Sequence, residues 1–267
     1  MERTPLKPAA AWPFPTTAAG TTAANQVAAV MAENEFVRVP GRTFTNGFAV
    51  PFVVPDFFVG KFLTGFNDDG SVSIGPDVVP TVRISYFDAA AKCAAAGVSM
   101  LTLAQSAVLA LDVAEQAANW SGGAVGVGKL MQGLHLGTVS GAVAGTYVSP
   151  KESERRGFVL STGEVVDDVA GHLFTWLRDD IHGDERGLVA VEGFPENSPV
   201  VSGAPFPSMQ QGVGYYPDAG EDWSGNALFR GGCWYSNAYA GVFRLNLGSP
   251  GYSSSDVGVR CTKPIGL

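Results

Sequence analysis

A helical period of apolar positions begins near residue 86. Ser85 is followed three residues later by Asp88, a variant of the capping box whose side chains satisfy free backbone N–H groups at the start of a helix. The Ala-rich run that follows ends at Gly97, and glycine readily adopts the left-handed conformation that closes a helix. This pattern predicts a helix over residues 86–96.

A second helical pattern follows after a short connection. Thr102 and Gln105 form a capping signature of the same kind. Apolar residues then recur at helical spacing until about residue 118. We therefore predict a second helix over residues 103–118.

The chain before these helices divides into an arm and a strand-forming segment. Residues 1–41 are rich in Pro, Ala and Thr, and one short helix is predicted near residues 25–33. The Val- and Phe-rich run at residues 48–65 is interrupted by prolines, which would break the hydrogen bonding of a helix. We therefore expect an N-terminal arm or oligomerisation segment, then strands from residue 48, within one domain over residues 42–267.

Regular periodicity is lost from residue 119 onwards. Clusters of Gly, Pro, Asn and Asp separate short apolar segments such as GFVLS and HLFTW. About 140 residues with so little periodicity are uncommon in a compact domain, unless the fold carries its chemistry on long loops. The sequence predicts that loops make up a large part of the structure.

Charge and hydropathy exclude several classes of partner. The net charge is −8 and no basic run occurs, which argues against nucleic acid or an anionic membrane surface as the partner. No apolar stretch approaches the roughly 20 residues that span a bilayer, and residues 1–20 lack the pattern of a signal peptide. We expect no membrane insertion, and the location is left open between the virion and the cytoplasm.

Cysteine, histidine and acidic residues do not predict a metal site. Cys93, Cys233 and Cys261 show no CxxC spacing, so we expect reduced thiols, although one disulfide pair stays open. Acidic residues near His172 and His182 could hold Ca²⁺, but a solvated acidic loop is preferred. These acidic residues are Asp167, Asp168, Asp179, Asp180, Asp184 and Glu185. The chain also lacks a G-x-S-x-G elbow, a P-loop and an H-E-x-x-H motif, so we predict no catalytic residue and no cofactor.

Four segments occur in a characteristic order along the chain. They are PDFFVGKFLTG at 55–65, VRISYFDAAAKCAAAGVSMLTLAQ at 82–105, VVDDVAGHLFTWLRD at 165–179 and FRGGCWYSNAYAGVFRLNLGSPGYSSSDVGVRC at 229–261. Together they resemble the formylglycine-generating-enzyme-like branch of the C-type lectin fold. The resemblance implies an α+β fold with two helices, short antiparallel strands and long irregular loops.

The last segment has a second, more specific resemblance. Its frame of G-G-x-W, A-G-x-F, a Ser/Gly/Tyr-rich stretch and G-x-R resembles the variable region of proteins diversified by retroelements, a family that includes phage tropism determinants. In that family, adenine mutagenesis produces codons that cannot encode Lys, Glu, Gln, Met or Trp. Residues 233–256 contain none of the first four, and their one Trp, Trp234, stands at the fixed position of the frame. The resemblance implies a variable region at about 230–261.

Alternation within this region predicts which side chains face solvent. The segment FRLNLGS places its Phe and Leu side chains in the core and Arg244, Asn246 and Gly248 outward. Tyr, Ser and Asn are the residues that antibody-like surfaces use for contact. The predicted ligand-binding residues are Cys233, Tyr235, Ser236, Asn237, Tyr239, Arg244, Asn246, Gly248, Tyr252, Ser254, Ser255 and Asp256. The predicted scaffold residues are Trp234, Phe243, Val257, Val259 and Arg260.

These observations favour a binding protein over an enzyme. The expected partner is a protein or cell-surface ligand, bound by the outward residues of 233–256, and a homo-oligomer would offset weak affinity at each site. The alternative is a formylglycine-generating-type oxidase or its inactive paralogue. That activity needs two neighbouring cysteines that bind copper near the last of the four segments, residues 229–261, which we call the closing segment. This chain has only Cys233 and Cys261 there, separated by a long loop.

Overall fold

The computed structural model describes residues 35–45, 52–178, 181–184, 187–190, 212 and 226–264. In this part of the chain, loops connect two helices and many short strands. Helix α1 spans Tyr86–Ala95 and helix α2 spans Leu103–Ala114. The predicted helix near residues 25–33 lies outside the described residues. In chain order the strands are β1 (Phe36–Val39), β2 (Arg42–Phe44), β3 (Phe52–Val54), β4 (Phe57–Gly60), β5 (Gly65–Phe66), β6 (Val72–Ser73), β7 (Ser99–Met100), β8 (Gly157–Val159), β9 (Val165–Asp167), β10 (Phe174–Trp176), β11 (Ile181–Asp184), β12 (Gly187–Ala190), β13 (Ala227–Arg230), β14 (Leu245–Gly248), β15 (Val257–Gly258) and β16 (Cys261–Pro264).

The strands form two four-stranded sheets and several two-stranded ribbons. The first sheet has the order β1-β4-β16-β7 and joins the two ends of the described chain. The second has the order β14-β13-β10-β15, in which β10 and β15 are parallel and the other neighbours are antiparallel. Three of the four strands in the second sheet come from the closing segment of the chain, so this sheet carries the predicted recognition region.

The first sheet begins earlier in the chain than the sequence predicted. Val37 and Val39 are buried on β1 while Arg38 is exposed, which is the alternation of a half-buried strand. This strand pairs with β4 along its whole length. The sheet therefore includes residues that the sequence analysis assigned to the N-terminal arm.

Both helix starts are confirmed by their hydrogen bonds. The Ser85 side chain accepts from the backbone N–H of Asp88 at the start of α1. Thr102 and Gln105 form a complete capping box, with one bond in each direction between side chain and backbone. Gly97, just beyond α1, has a φ of +74°, as a closing glycine should.

The predicted end of the second helix is wrong, because α2 stops at Ala114 and not near residue 118. Three side chains beyond it donate to carbonyl oxygens of its last turns: Gln116 Nε2 at 2.9 Å, Asn119 Nδ2 at 2.8 Å and Trp120 Nε1 at 2.7 Å. The last carbonyl groups of a helix need such partners, because no further backbone N–H of the helix is available to them. These side chains therefore close the helix early and lead the chain into a short 3₁₀ turn.

Apolar side chains from the helices and sheets pack into two buried clusters. Helix α2 packs in the first cluster with β1 and β4, and α1 packs in the second with Trp176 and Trp234. In the second cluster the sulfur atoms of Cys93 and Cys261 lie 3.5 Å apart as free thiols. Among the described helices, neither is long and apolar enough to cross a bilayer. The predicted α+β class, with two helices, short antiparallel strands and long loops, is confirmed.

Candidate functional site

The closing segment leaves strand β13 through two glycines with left-handed backbone. Gly231 and Gly232 have φ values of +101° and +85°, a region that side chains with a Cβ rarely adopt. The N–H of Gly231 donates to the Arg244 carbonyl, and the Gly231 carbonyl accepts from Gly171 and Gly241. The G-G pair of the sequence frame thus forms a tight turn at which several chain segments meet.

We predict that Gly232→Ala lowers the free energy of unfolding by about 2 kcal/mol, as expected for strain at a left-handed position with a steric clash. The new Cβ would lie 2.9 Å from Cα of Ala240, which is backbone and cannot move easily. Urea denaturation followed by tryptophan fluorescence measures the change. Gly70→Ala is the matched control, because Gly70 has a φ of +84° but open space around its Cα. Equal losses in both variants would rule out close packing against Ala240 as the cause.

Beyond this turn, the closing segment and the second sheet surround an open pocket of about 540 Å³. Most of the predicted ligand-binding residues line it, although they are spread over more than twenty positions of the chain. They are Tyr235, Ser236, Asn237, Tyr239, Arg244, Asn246, Gly248, Tyr252 and Asp256. The structure therefore brings these side chains to one surface of the molecule.

Exposure within the pocket follows the predicted alternation with one exception. Tyr235, Tyr239 and Tyr252 are 54%, 51% and 43% exposed. On β14 the Leu245 side chain is fully buried while Asn246 is half-buried and faces the pocket. Leu247, which the alternation placed in the core, is only half-buried and also lines the pocket.

Three of the predicted residues do not line the pocket. Cys233 is fully buried in the second apolar cluster, so its predicted place on the surface is wrong. The glycine turn directs this side chain inward, and its backbone N–H donates to the Ser236 hydroxyl at 2.9 Å. Ser254 and Ser255 are half-buried beside the pocket, and the Ser254 carbonyl accepts a bond from the N–H of Arg83.

The apolar floor of the pocket was not predicted from the sequence. Phe174 on β10 and Phe229 on β13 line it, with ring centroids 4.8 Å apart in an edge-to-face arrangement. Val257 on β15 lies beside them, although it was predicted to be scaffold only. HLFTW was recognised only as a short apolar segment, and the pairing of β10 with β13 and β15 is what brings these side chains together.

Asp256 is the most deeply buried polar residue of the pocket. It is 4% exposed, and the Tyr235 hydroxyl donates to its Oδ2 at 2.5 Å. Its Oδ1 has no hydrogen-bond partner within the described part of the chain. Burial, together with the bond to Asp256, raises the pKa of Tyr235 well above its usual range. The phenol is therefore a neutral donor at any physiological pH.

Arg244 brings a positive charge to the same pocket. Its guanidinium carbon lies 5.9 Å from the ring centroid of Tyr239 and 5.9 Å from that of Phe174. These distances suit cation–π attraction. The pocket thus holds a cation and an anion, each in contact with different aromatic side chains.

Asp168 and Arg156 form a buried ion pair, and His172 contacts the same carboxylate. Asp168 accepts from Arg156 Nε at 2.8 Å and Nη2 at 2.5 Å, and from His172 Nδ1 at 3.0 Å. The N–H of Val143 donates to His172 Nε2, so the histidine proton lies on Nδ1. Burial opposes ionisation of Asp168, but its contacts with His172 and Arg156 hold its pKa well below the usual range. The His172 carbonyl accepts from the Trp234 N–H, which ties His172 to the closing segment.

The predicted solvated acidic loop is wrong for the part of it that the structure describes. Asp168 and His172 are buried in the ion pair, and Asp167 is half-buried. No group of three or more His, Cys, Asp or Glu side chains within the described ranges is placed to hold a metal ion. The remaining side chains of the predicted cluster, those of Asp179, Asp180, His182, Asp184 and Glu185, lie outside the described residues.

Cys233 and Cys261 lie in different surroundings. The Cys261 sulfur contacts that of Cys93, whereas the Cys233 sulfur contacts the Ser236 hydroxyl at 3.3 Å. Burial raises the pKa of Cys233, which disfavours a thiolate there. The two cysteines that the oxidase alternative needs side by side are therefore not paired with each other.

The fold and the site define an α+β scaffold whose closing segment forms an open aromatic pocket. No protein-family model matches the chain, and no curated protein matches it. Among solved structures, the chain is similar to the Major Tropism Determinant I1 variant, with 14% identity and a TM-score of 0.43 over 78% of this chain and 50% of that one. It thus spans about half the length of that structure.

Two further similar structures match over almost their whole length. One is the Treponema denticola variable protein 1, with 15% identity and a TM-score of 0.39 over 85% of this chain and 94% of that one. The other is CarF, with 14% identity and a TM-score of 0.45 over 87% of this chain and 99% of that one. The solved structures that are similar to this chain thus include a tropism determinant and a variable protein.

Proposed function

We propose that the protein binds a ligand through the pocket of its closing segment, and that the exposed pocket residues decide which ligand is bound. The observation that carries this proposal is the separation of two sets of residues in one segment. Side chains predicted to vary line one open pocket, while Trp234, Phe243, Val259 and Arg260 between and beside them are buried. Exchange of the exposed residues that do not contact the buried set, such as Tyr239 and Tyr252, should therefore leave its packing intact.

The chemistry of the pocket suits recognition more than turnover. Tyr side chains offer large contact area at low entropic cost, and Asn and Ser offer adaptable hydrogen bonds. A catalytic pocket needs an activated nucleophile or a poised acid–base pair. Here the Tyr235 phenol is held neutral and the Cys233 thiol is buried. We therefore propose binding, with a protein or cell-surface ligand as partner and a homo-oligomer as the form that adds avidity.

Diversification of this surface has a direct genetic test. We expect a reverse transcriptase gene near the gene for this protein, together with a near-copy of its 3′ end that carries adenines at the codons of the exposed pocket residues. Codons for Trp234 and Arg260 should be identical in both copies, because these side chains are buried. A 3′ region without such a repeat would remove diversification from the proposal and leave a binding protein of fixed specificity.

We predict that a Tyr239→Ala, Asn246→Ala, Tyr252→Ala triple variant loses binding at unchanged stability. Peptides selected from a random library on the immobilised wild-type protein are the probe, and their affinity should fall at least tenfold in the variant. Its melting temperature should change little, because exposed substitutions usually cost under about 0.5 kcal/mol each. Tyr235 is kept, since its hydroxyl bonds Asp256.

A second triple variant is the matched control for this prediction. Val53→Ala, Val127→Ala and Val148→Ala remove side chains that are 58%, 52% and 84% exposed but do not line the pocket. This control should bind the selected peptides as the wild type does. Peptides that bind both triple variants equally would place the binding surface elsewhere, and unfolding of the pocket variant would show that its residues are core.

A further inference from the structure

One carboxylate oxygen inside the pocket has no donor within the described residues. Asp256 is 96% buried, and only its Oδ2 accepts a hydrogen bond, from Tyr235. A buried carboxylate oxygen without a donor is unfavourable, because it has lost water without gaining a partner. Since Asp256 lines the pocket, a donor group on a ligand could reach it.

The aromatic lining favours the same kind of ligand group. The rings of Tyr235, Tyr252 and Phe229 line the pocket together with Asp256. The faces of aromatic rings attract cations, most strongly where water is excluded. The net charge of −8 also draws cationic groups toward the protein. Three separate features thus favour a positive group on the ligand.

Arg244 limits where such a group can bind. Its guanidinium already lies over the rings of Tyr239 and Phe174. A second cation near those rings would be repelled. Tyr235, by contrast, holds Asp256 through its hydroxyl and packs edge-on against Trp234, with ring centroids 5.4 Å apart. The favourable position is therefore beside Asp256 and Tyr235.

We propose, building on the proposed binding function, that this pocket selects ligands with an ammonium or guanidinium group, supplied by a lysine or arginine side chain of a partner protein. The Oδ1 atom of Asp256 accepts a hydrogen bond from this group, and Tyr235 positions the carboxylate. Asp256 is then a specificity-determining residue, and exchange of its codon changes the charge of the ligand that is bound.

The test uses peptides selected from a random library on the immobilised full-length protein. Peptides whose binding depends on Tyr239, Asn246 and Tyr252 should share a Lys or Arg at one position. Acetylation of that Lys, which removes its charge, should weaken binding to the wild type at least tenfold. Asp256→Asn should weaken binding of the unmodified peptide by a similar factor, and acetylation should then have little further effect. Asn keeps the volume and can still accept from the Tyr235 hydroxyl.

Asp77→Asn is the matched control, because it makes the same change at an exposed Asp that does not line the pocket. It should leave the affinity for the basic peptide unchanged. Pocket-dependent peptides that lack a basic residue, or that tolerate acetylation, would overturn the basic-group proposal alone. Failure to select any pocket-dependent peptide would overturn the binding function together with it. If Asp256→Asn does not fold, the acetylation result on the wild type decides.

Discussion

Asp168→Asn is expected to lower the free energy of unfolding by about 3–5 kcal/mol, the usual loss when one partner of a buried ion pair is removed. Asp168 and Arg156 are both buried, with side-chain exposures of 2% and 6%. Without the Asp168 charge, the Arg156 guanidinium stays in the interior, where its hydrogen bonds go to the carbonyl oxygens of Ala144 and Tyr147. Urea denaturation followed by circular dichroism measures the loss.

An exposed pair of the same residue types provides the control. Arg38 and Asp56 form an ion pair whose side chains are 52% and 37% exposed. Water and salt screen such a pair, so Asp56→Asn should reduce stability far less than Asp168→Asn. Similar losses in the two variants would mean that burial does not determine how much the Arg156–Asp168 pair contributes to the free energy of unfolding.

The stabilisation by Asp168 should also depend on pH in a defined direction. Its pKa is lower in the folded than in the unfolded protein, where an Asp titrates near pH 3.9. The unfolded state therefore takes up the proton first as the pH falls, and stability is lost below about pH 4. The difference in unfolding free energy between wild type and Asp168→Asn should be constant from about pH 5 to 7 and shrink below about pH 4. A difference that grows in acid would contradict the ionic assignment.

Local features of the fold were predictable because their causes lie within a few residues. Ser85 and Thr102 cap helices through side-chain bonds to residues three positions away, and Gly97 closes one of them. Apolar and polar residues alternate around Asn246, and successive side chains of a strand point to opposite faces, so the Asn246 side chain was predicted to point away from the core. The resemblance of the closing segment to diversified variable regions implied that Trp234 is scaffold, and Trp234 is buried.

The remaining features depend on contacts between distant parts of the chain. Asp256 ends a Ser- and Gly-rich stretch that is typical of a loop, yet it is buried and accepts a hydrogen bond from Tyr235, 21 positions earlier. Phe174 joins the pocket only because β10 lies between β13 and β15. Asp168 stands in an acidic stretch that is typical of a solvated loop, and its partner Arg156 precedes it by 12 positions. The periodicity of apolar residues in the sequence does not reveal which distant residues come into contact in the fold.

Trp234→Ala is expected to lower the free energy of unfolding by about 3–5 kcal/mol, as for other buried aromatic residues. Trp234 is 8% exposed and packs in the second apolar cluster. Its backbone N–H donates to the His172 carbonyl, and its carbonyl accepts from Gly137 at 2.7 Å. These backbone bonds survive the substitution, so the loss comes from the cavity and the missing contacts of the indole ring. Thermal and urea denaturation measure it.

Comparing Trp234→Ala with Tyr239→Ala tests whether the buried residues of the closing segment, and not the exposed ones, stabilise the fold. Tyr239 lies five positions later and is 51% exposed, so its truncation should change stability by under about 0.5 kcal/mol. The opposite pattern is expected for binding of pocket-dependent peptides, measured below the melting temperature of both variants. A Trp234 variant as stable as the Tyr239 variant would remove the distinction between frame and exchangeable surface. The proposed exchange of pocket residues requires that the frame alone carries stability, so this distinction is a condition of the proposed function.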